Sequence, residues 1–188
     1  MQFLKNVFCS GIIAAGFLCL PQVSFAKSEL PGDPSELITD KFIQDAREWL
    51  ANPVVSLSID SQNRLRKDLT QEKIDAADKQ WREEREAEDQ PLVAAIVTNP
   101  LSGYLTQVQA RSGGLLAEIF VMDAVGLNVG QSSITSDFWQ GDEAKFQNTF
   151  PNGPDAVFID EAEYNEDSDT WRSQLSMTMS NEERQPIG

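Results

Sequence analysis

Leu115-Leu116-Ala117-Glu118-Ile119-Phe120-Val121-Met122-Asp123-Ala124-Val125-Gly126-Leu127-Asn128-Val129-Gly130-Gln131 decides the fold class. Leu115 to Met122 is almost continuously apolar and is bounded by Gly114 and the turn Asp123-Ala124-Val125-Gly126. Such a run suits a strand covered on both faces. Leu127 to Gln131 is then its hairpin partner. Asp123 fits the turn better than it fits a ligand contact, because Asp accepts hydrogen bonds from the backbone just ahead of it.

Strand grammar continues downstream. Ala156 to Ile159 reads as a third short strand. From Trp171 to Met179, apolar Trp171, Leu175, Met177 and Met179 alternate with Arg172, Gln174, Ser176 and Thr178. Period two over that stretch predicts a half-buried antiparallel strand with a polar outer face.

Upstream the pattern is helical. Asp33-Pro34-Ser35-Glu36 reads as a helix start, with Ile38, Phe42, Ala46 and Trp49 at helical spacing behind it. Asn52-Pro53 marks a break, and Val54 to Ile59 fits helix or strand. A long helix is expected from about Arg64 to Glu88, with Leu65, Leu69, Ile74, Ala77 and Trp81 inward. Its charges four residues apart, such as Asp78 with Arg82 and Lys79 with Glu83, read as a solvated face. Pro91, Asn99-Pro100 and Ser112-Gly113-Gly114 punctuate the chain between that helix and the first strand. The expectation is an α+β chain with a signal peptide over 1–26, a helical region over 27–114 and a sheet over 115–188. The last two regions together form one domain.

The chain has 188 residues, with 15 Lys+Arg against 30 Asp+Glu, a net charge of −15 and no His. Apolar residues make up 40%, enough for a core. The charge argues against a nucleic-acid partner and against docking on anionic lipid. Without His, a His-based triad and the usual zinc and haem ligands are excluded.

Residues 1–26 carry Lys5, an apolar stretch from Val7 to Leu20, and Ser24-Phe25-Ala26. That is the order of a secretory signal peptide cleaved near Ala26, which predicts a periplasmic or secreted protein with no membrane insertion after cleavage. A lipoprotein reading of Cys19 lacks the small residue needed beside it. Both cysteines, Cys9 and Cys19, fall inside the signal, so the mature chain has neither disulfide nor thiolate chemistry.

Candidate chemistry lies between the second and third strands. Ser132 to Phe146 gathers Asp137, Phe138, Trp139, Gln140, Gly141, Asp142, Glu143 and Lys145 on a loop entering a short helix. Aromatic walls with a few placed polar groups are what a small-molecule pocket needs. Equally, Trp139 and Phe146 could plug the sheet while Asp142 caps the helix. Asn165, Asp167 and Asp169 alternate like calcium-loop ligands, with Glu161, Glu163 and Glu166 nearby. Thr170 stands where the turn needs Gly, however, and Ser176 where the final Glu belongs. Asp142 and Glu143 could serve acid–base catalysis, but no nucleophile motif or phosphate loop accompanies them. No metal, cofactor or enzymatic activity is expected.

Glu118 to Asp123, Gly126 to Ser132 and Thr135 to Lys145 together resemble the Cache (PDC, PAS-like) extracytoplasmic sensor domains. The nearest likeness is to small soluble members with a signal peptide. It extends back through Asn99-Pro100-Leu101-Ser102 and forward to Pro186-Ile187-Gly188.

The resemblance implies long N-terminal helices packed on a PAS-like antiparallel sheet. It also implies a small ligand (organic acid, amino acid or amine) between the sheet's other face and the connecting loops. The candidates are then Trp139, Gln140, Asp142 and Lys145, with Asp137, Tyr164, Arg172 and Gln174 in reach of the same cavity. Lys145 or Arg172 would pair with a ligand carboxylate, Asp137 or Asp142 with an amine, and Trp139 would form a wall. A membrane sensor kinase or chemoreceptor is the implied partner.

The family pattern continues past Pro186-Ile187-Gly188 into a last central strand, which the sequence does not show. This leaves a truncated product, another segment in the gap, or a strand swapped from a second chain in a homodimer. A structural or interaction protein with a degenerate pocket is the alternative function, and a carboxylate-based hydrolase a distant one.

Overall fold

The computed structural model describes Glu36 and residues 38–166 and 168–188. The predicted signal peptide and the Asp33-Pro34 helix start lie outside the described residues. The fold is α+β, with five α-helices preceding the strands among the described residues.

Helix α1 (Asp40–Leu50) starts at Thr39, whose hydroxyl accepts from Phe42 N at 3.2 Å. Helix α2 (Pro53–Leu65) resolves Val54 to Ile59 as helix, and Asn52 caps it by accepting from Val54 N at 3.0 Å. Pro53 fits the first turn because its missing N–H would have no partner there. The expected helix over 64–88 is instead divided. Arg64 and Leu65 end α2, Leu69 N folds back on Arg66 O, and Thr70 precedes α3 (Gln71–Glu84). Helix α4 (Pro91–Val97) and helix α5 (Pro100–Arg111) come next. Asn99 caps α5 through Ser102 N at 2.8 Å and donates to Val129 O at 2.8 Å. One side chain thus ends a loop, starts a helix and fixes that helix on the hairpin.

The strands are short. β1 (Phe120–Met122) pairs antiparallel with β2 (Asn128–Gln131). The expected strand thus contracts to its last three residues, and Leu115 is 67% exposed rather than covered. Residues 138–140 flank the other edge of β2, where Leu127 bridges Trp139 and Gln140 N donates to Gly126 O at 2.8 Å. Gly126 holds φ +84, and a Cβ there would meet Gly141 N at 2.6 Å. Only glycine fits this approach.

Strand β3 (Val157–Ile159) pairs with β6 (Leu175–Met177), and β4 (Glu163–Asn165) with β5 (Thr170–Arg172). The continuous strand expected over Trp171–Met179 is therefore two strands interrupted at Ser173-Gln174. The predicted outer face is also reversed at its end, since Ser176 and Thr178 are buried while Leu175, Met177 and Met179 are only partly so. Alternation sets the period of a strand; what covers each face comes from elsewhere in the chain. Among the described residues the strands form three two-stranded ladders rather than one sheet.

The chain's last residues are seated between ladders. Ile187 N donates to Met179 O at 2.8 Å, Met179 N donates to Gly188 O at 2.7 Å, and Asn63 Nδ2 reaches Ile187 O at 2.7 Å. Ile187 is buried and Gly188 lies against the Met122 carbonyl.

Two cores result. Val55, Ile59, Leu101, Leu105, Val121 and Ile187 build the first, between α2, α5 and the hairpin. Ile74, Trp81, Val93, Ile96, Leu127 and Phe138 build the second, between α3, α4 and the hairpin's far edge.

Polar groups of α3 reach inside this second layer. Asp78 accepts from Phe138 N and Trp139 N at 2.9 and 3.0 Å and pairs with Arg82 at 2.8 Å. Glu84 accepts from Leu92 N and Val93 N at 2.7 and 3.0 Å, so it caps α4 from a neighbouring helix. The α3 face expected to be wholly solvated is thus partly structural. Burial pushes the Glu84 carboxyl up, but bonds from Gln80, Val93 N and Leu92 N outweigh that and hold it below its ordinary 4.5.

A lowered native value means stabilisation present above the ordinary value and lost as pH falls through the native one. Glu84→Gln keeps an oxygen for both amides but cannot titrate. Its urea midpoint is expected to fall less than the wild type's between about pH 5 and pH 3. Parallel curves would remove Glu84 from the acid response.

Candidate functional site

The hairpin and the 138–146 segment converge on Lys145, and the sequence makes this happen through the backbone. Helix α6 (Ala144–Gln147) follows Glu143, which precedes the helix without a side-chain cap bond; Asp142 is exposed and does not cap it. Phe146 is buried and stacks on Phe150 at 5.2 Å, which fixes the face that α6 presents. Lys145 is thereby held on the hairpin side.

Its ammonium lies 2.8 Å from Glu143 Oε2, 2.9 Å from Gln140 Oε1 and 5.3 Å from the Phe120 ring centroid. The Lys145 side chain is 17% exposed. An ammonium on an aromatic face, held by an amide and a carboxylate, is a strongly oriented cation. Glu118 belongs to the same cluster. Loss of hydration against its neighbours pushes its carboxyl above the ordinary value, and the charges of Lys145 and then Arg172 pull it back. Arg172 is tethered by Ser168 Oγ at 3.0 Å. The arrangement offers the Lys145 ammonium already paired with Glu143, a second cation in Arg172, the Glu118 carboxylate of raised basicity and one ring face.

The predicted residues do not all meet here. Trp139 packs against the second core and its indole N–H donates to Val125 O at 2.8 Å. A Cβ at Gly141 would also meet Val125 O at 2.8 Å, so this close packing around Trp139 depends on that glycine. Gln140 is buried and donates to Asp137 O at 2.8 Å, and Asp137 pairs with Arg82 at 3.0 Å. Trp139, Gln140 and Asp137 thus anchor the loop, with Gln140 alone also touching Lys145.

Tyr164 donates to Asp169, which holds its hydroxyl above the ordinary value. Gln174 contributes its carbonyl to Asp160 N at 2.9 Å. Asp123 serves the turn, accepting from Val125 N and Leu127 N. In the acidic loop Asn165 Oδ1 is taken by Ser168, and Asp167 lies outside the described residues. Among the described residues no group of three or more metal-binding side chains gathers. No helix among them is long and apolar enough to cross a membrane.

Glu118 and Phe120 are hidden in the sequence because they sit inside the predicted strand. The available signal is an acid in an otherwise apolar run. Neither the cavity beside α1 nor the one beside α2 is lined by Trp139, Asp142 or Lys145. No protein-family model, curated protein or solved structure matches this chain.

Proposed function

We propose that this chain is an exported small-molecule-binding module of Cache type that reports its bound state to a membrane partner. The observation that carries the binding reading is the Lys145 ammonium fixed over Phe120 by Gln140 and Glu143, with the Glu118 carboxyl within the electrostatic reach of Lys145 and Arg172. Those groups suit a small metabolite with an anionic end for Lys145 or Arg172 and a cationic end for Glu118. The N-terminal signal pattern supports export, and the sequence resemblance supports the Cache assignment. The alternative, an interaction protein without a ligand, has its own support: Trp139, Gln140 and Asp137 are engaged in internal bonds.

A thermal melt of the mature chain against small acids, amino acids and amines separates the two. A ligand at a hundred times its Kd adds about 2.7 kcal/mol, worth roughly 5–10 °C at this size. The expected result is a saturable shift that Lys145→Ala or Glu118→Gln abolishes. If nothing on the panel moves a cooperative melt, the binding reading fails and the interaction protein replaces it.

A further inference from the structure

A cavity of about 250 Å³ opens between the last turn of α1, the 154–155 segment and residues 177–180. It is separate from the Lys145 cluster, and no motif in the sequence points to it. Leu50, Pro154, Met177 and Met179 give it apolar walls, while Arg47 and Arg184 stand in its lining. Two guanidinium groups at one apolar cavity are notable in a chain with twice as many acids as bases.

Three features set this place apart. First, among the described residues Arg47 has no carboxylate partner and its guanidinium hydrogen-bonds only to the Asp155 carbonyl, at 3.4 Å. Second, Arg184 adopts φ +59, a left-handed conformation that side chains rarely take. The turn holds it there through Arg184 N to Asn181 O at 3.0 Å and Gln185 N to Asn181 Oδ1 at 2.8 Å. That turn places the Arg184 side chain in the cavity lining. Third, Thr178 is 3% exposed, belongs to the wall, and its hydroxyl has no partner among the described residues. A buried polar atom left unbonded is costly, and a small shift of the wall that let a ligand oxygen reach it would remove that cost.

Asp155 completes the picture. Its carboxylate holds Arg184 Nη2 at 2.5 Å, with both side chains largely exposed. A pair so exposed is weak and exchangeable. Asp155 therefore stands in for an incoming carboxylate and competes with it.

We propose that this cavity binds a small monocarboxylate with an apolar body. Arg47 and Arg184 clamp the carboxylate, and the body rests on Leu50, Met177 and Met179. Guanidinium forks match a planar carboxylate, which favours this class over a bare phosphate that would leave the apolar walls unused.

The test is calorimetric titration of the mature chain with benzoate, phenylacetate and 4-methylpentanoate to about 10 mM, a range that captures millimolar Kd values. Benzamide serves as the uncharged control. At least one acid is expected to bind saturably and benzamide not to bind. Arg47→Ala and Arg184→Ala should each weaken binding tenfold or more. Asp155→Asn should tighten it, by removing both the competitor and a like charge. Because these residues are exposed, the variants should keep the wild-type melt, so lost binding is not lost folding.

The inference is overturned if none of the acids binds, if benzamide binds equally well, or if the double arginine variant binds unchanged. Lys145→Ala separates the two sites. Binding lost there but kept in Arg184→Ala moves the ligand to the Lys145 cluster, which sinks this inference and leaves the proposed function standing.

Discussion

Trp81→Ala is expected to destabilise the protein by about 3–5 kcal/mol, lowering the Tm by roughly 10 °C or more. Trp81 is fully buried and lies flat on Phe138, with ring centroids 5.2 Å apart and planes 15° apart. Arg66 stands near the same Phe138 ring, at 5.1 Å from its centroid. The Trp81 indole N–H also donates to Thr135 O at 3.0 Å. One truncation therefore opens a cavity in the second core and leaves a loop carbonyl short of its donor.

Because Asp78, on the same helix, holds the amides of Phe138 and Trp139, the damage should spread into the 135–140 loop. Trp81→Phe separates the contributions. It keeps most of the ring contact and loses the N–H bond, so a loss nearer 1–2 kcal/mol is expected. Urea unfolding of both variants is the measurement. A loss below about 1 kcal/mol for Trp81→Ala would mean that the loop is not built on α3.

That loop also shows what can be read from the sequence and what cannot. Asn52-Pro53 and Asn99-Pro100 are legible because their chemistry is local: a side-chain oxygen caps a helix whose first residue needs no donor. The hairpin is legible for the same reason, since Asp123 and Gly126 determine a turn within four residues. Trp139 is not. An aromatic between polar residues looks the same whether it lines a pocket or closes a core. The deciding partners, Val125 O and α3, lie far away or on another element.

The break after Leu65 is hidden by continuing apolar spacing. Leu69 keeps the rhythm of a helix while Thr70 begins a new one. Burial of Ser176 and Thr178 is equally invisible, because an alternating strand names its two faces without saying what covers them. The Lys145 cluster falls between these cases. Lys145 and Arg172 are visible as cations for a ligand carboxylate, but the pull of their charges on Glu118 depends on tertiary placement.

Asp123→Ala should cost about 3–5 kcal/mol, the scale for removing one member of a buried charged network. Asp123 is fully buried. Its Oδ1 accepts from Val125 N at 3.0 Å and Leu127 N at 2.9 Å, and its Oδ2 accepts from Gln62 Nε2 at 2.8 Å. Gln62 also reaches Asn128 O at 3.1 Å, so the carboxylate joins α2 to both ends of the hairpin turn. Alanine leaves these donors without their acceptor at a position that is itself fully buried.

Charge adds to the loss. Burial pulls the Arg66 guanidinium below its ordinary value, and Asp123 is the group that offsets this. Asp123→Asn separates the turn bonds from the rest: its remaining oxygen can keep both turn amides, while the charge facing Arg66 and the acceptor for Gln62 Nε2 disappear. The amide variant should therefore lose roughly half as much or less. Arg66→Ala, which leaves the turn intact, should cost less than Asp123→Ala.

Amide hydrogen exchange gives the local readout. Protection at Val125 and Leu127 is expected to vanish in Asp123→Ala and to persist in Asp123→Asn. Equal losses in the two variants would instead make the charge facing Arg66 and the Gln62 bond, rather than the turn bonds, the reason that a carboxylate is buried at the hinge of the hairpin. Because residues 138–140 flank β2 and Gln140 holds Lys145, a hairpin loosened at Asp123 should also release the Lys145 ammonium from Phe120. The stability of this turn and the geometry of the candidate site are then one property of the fold.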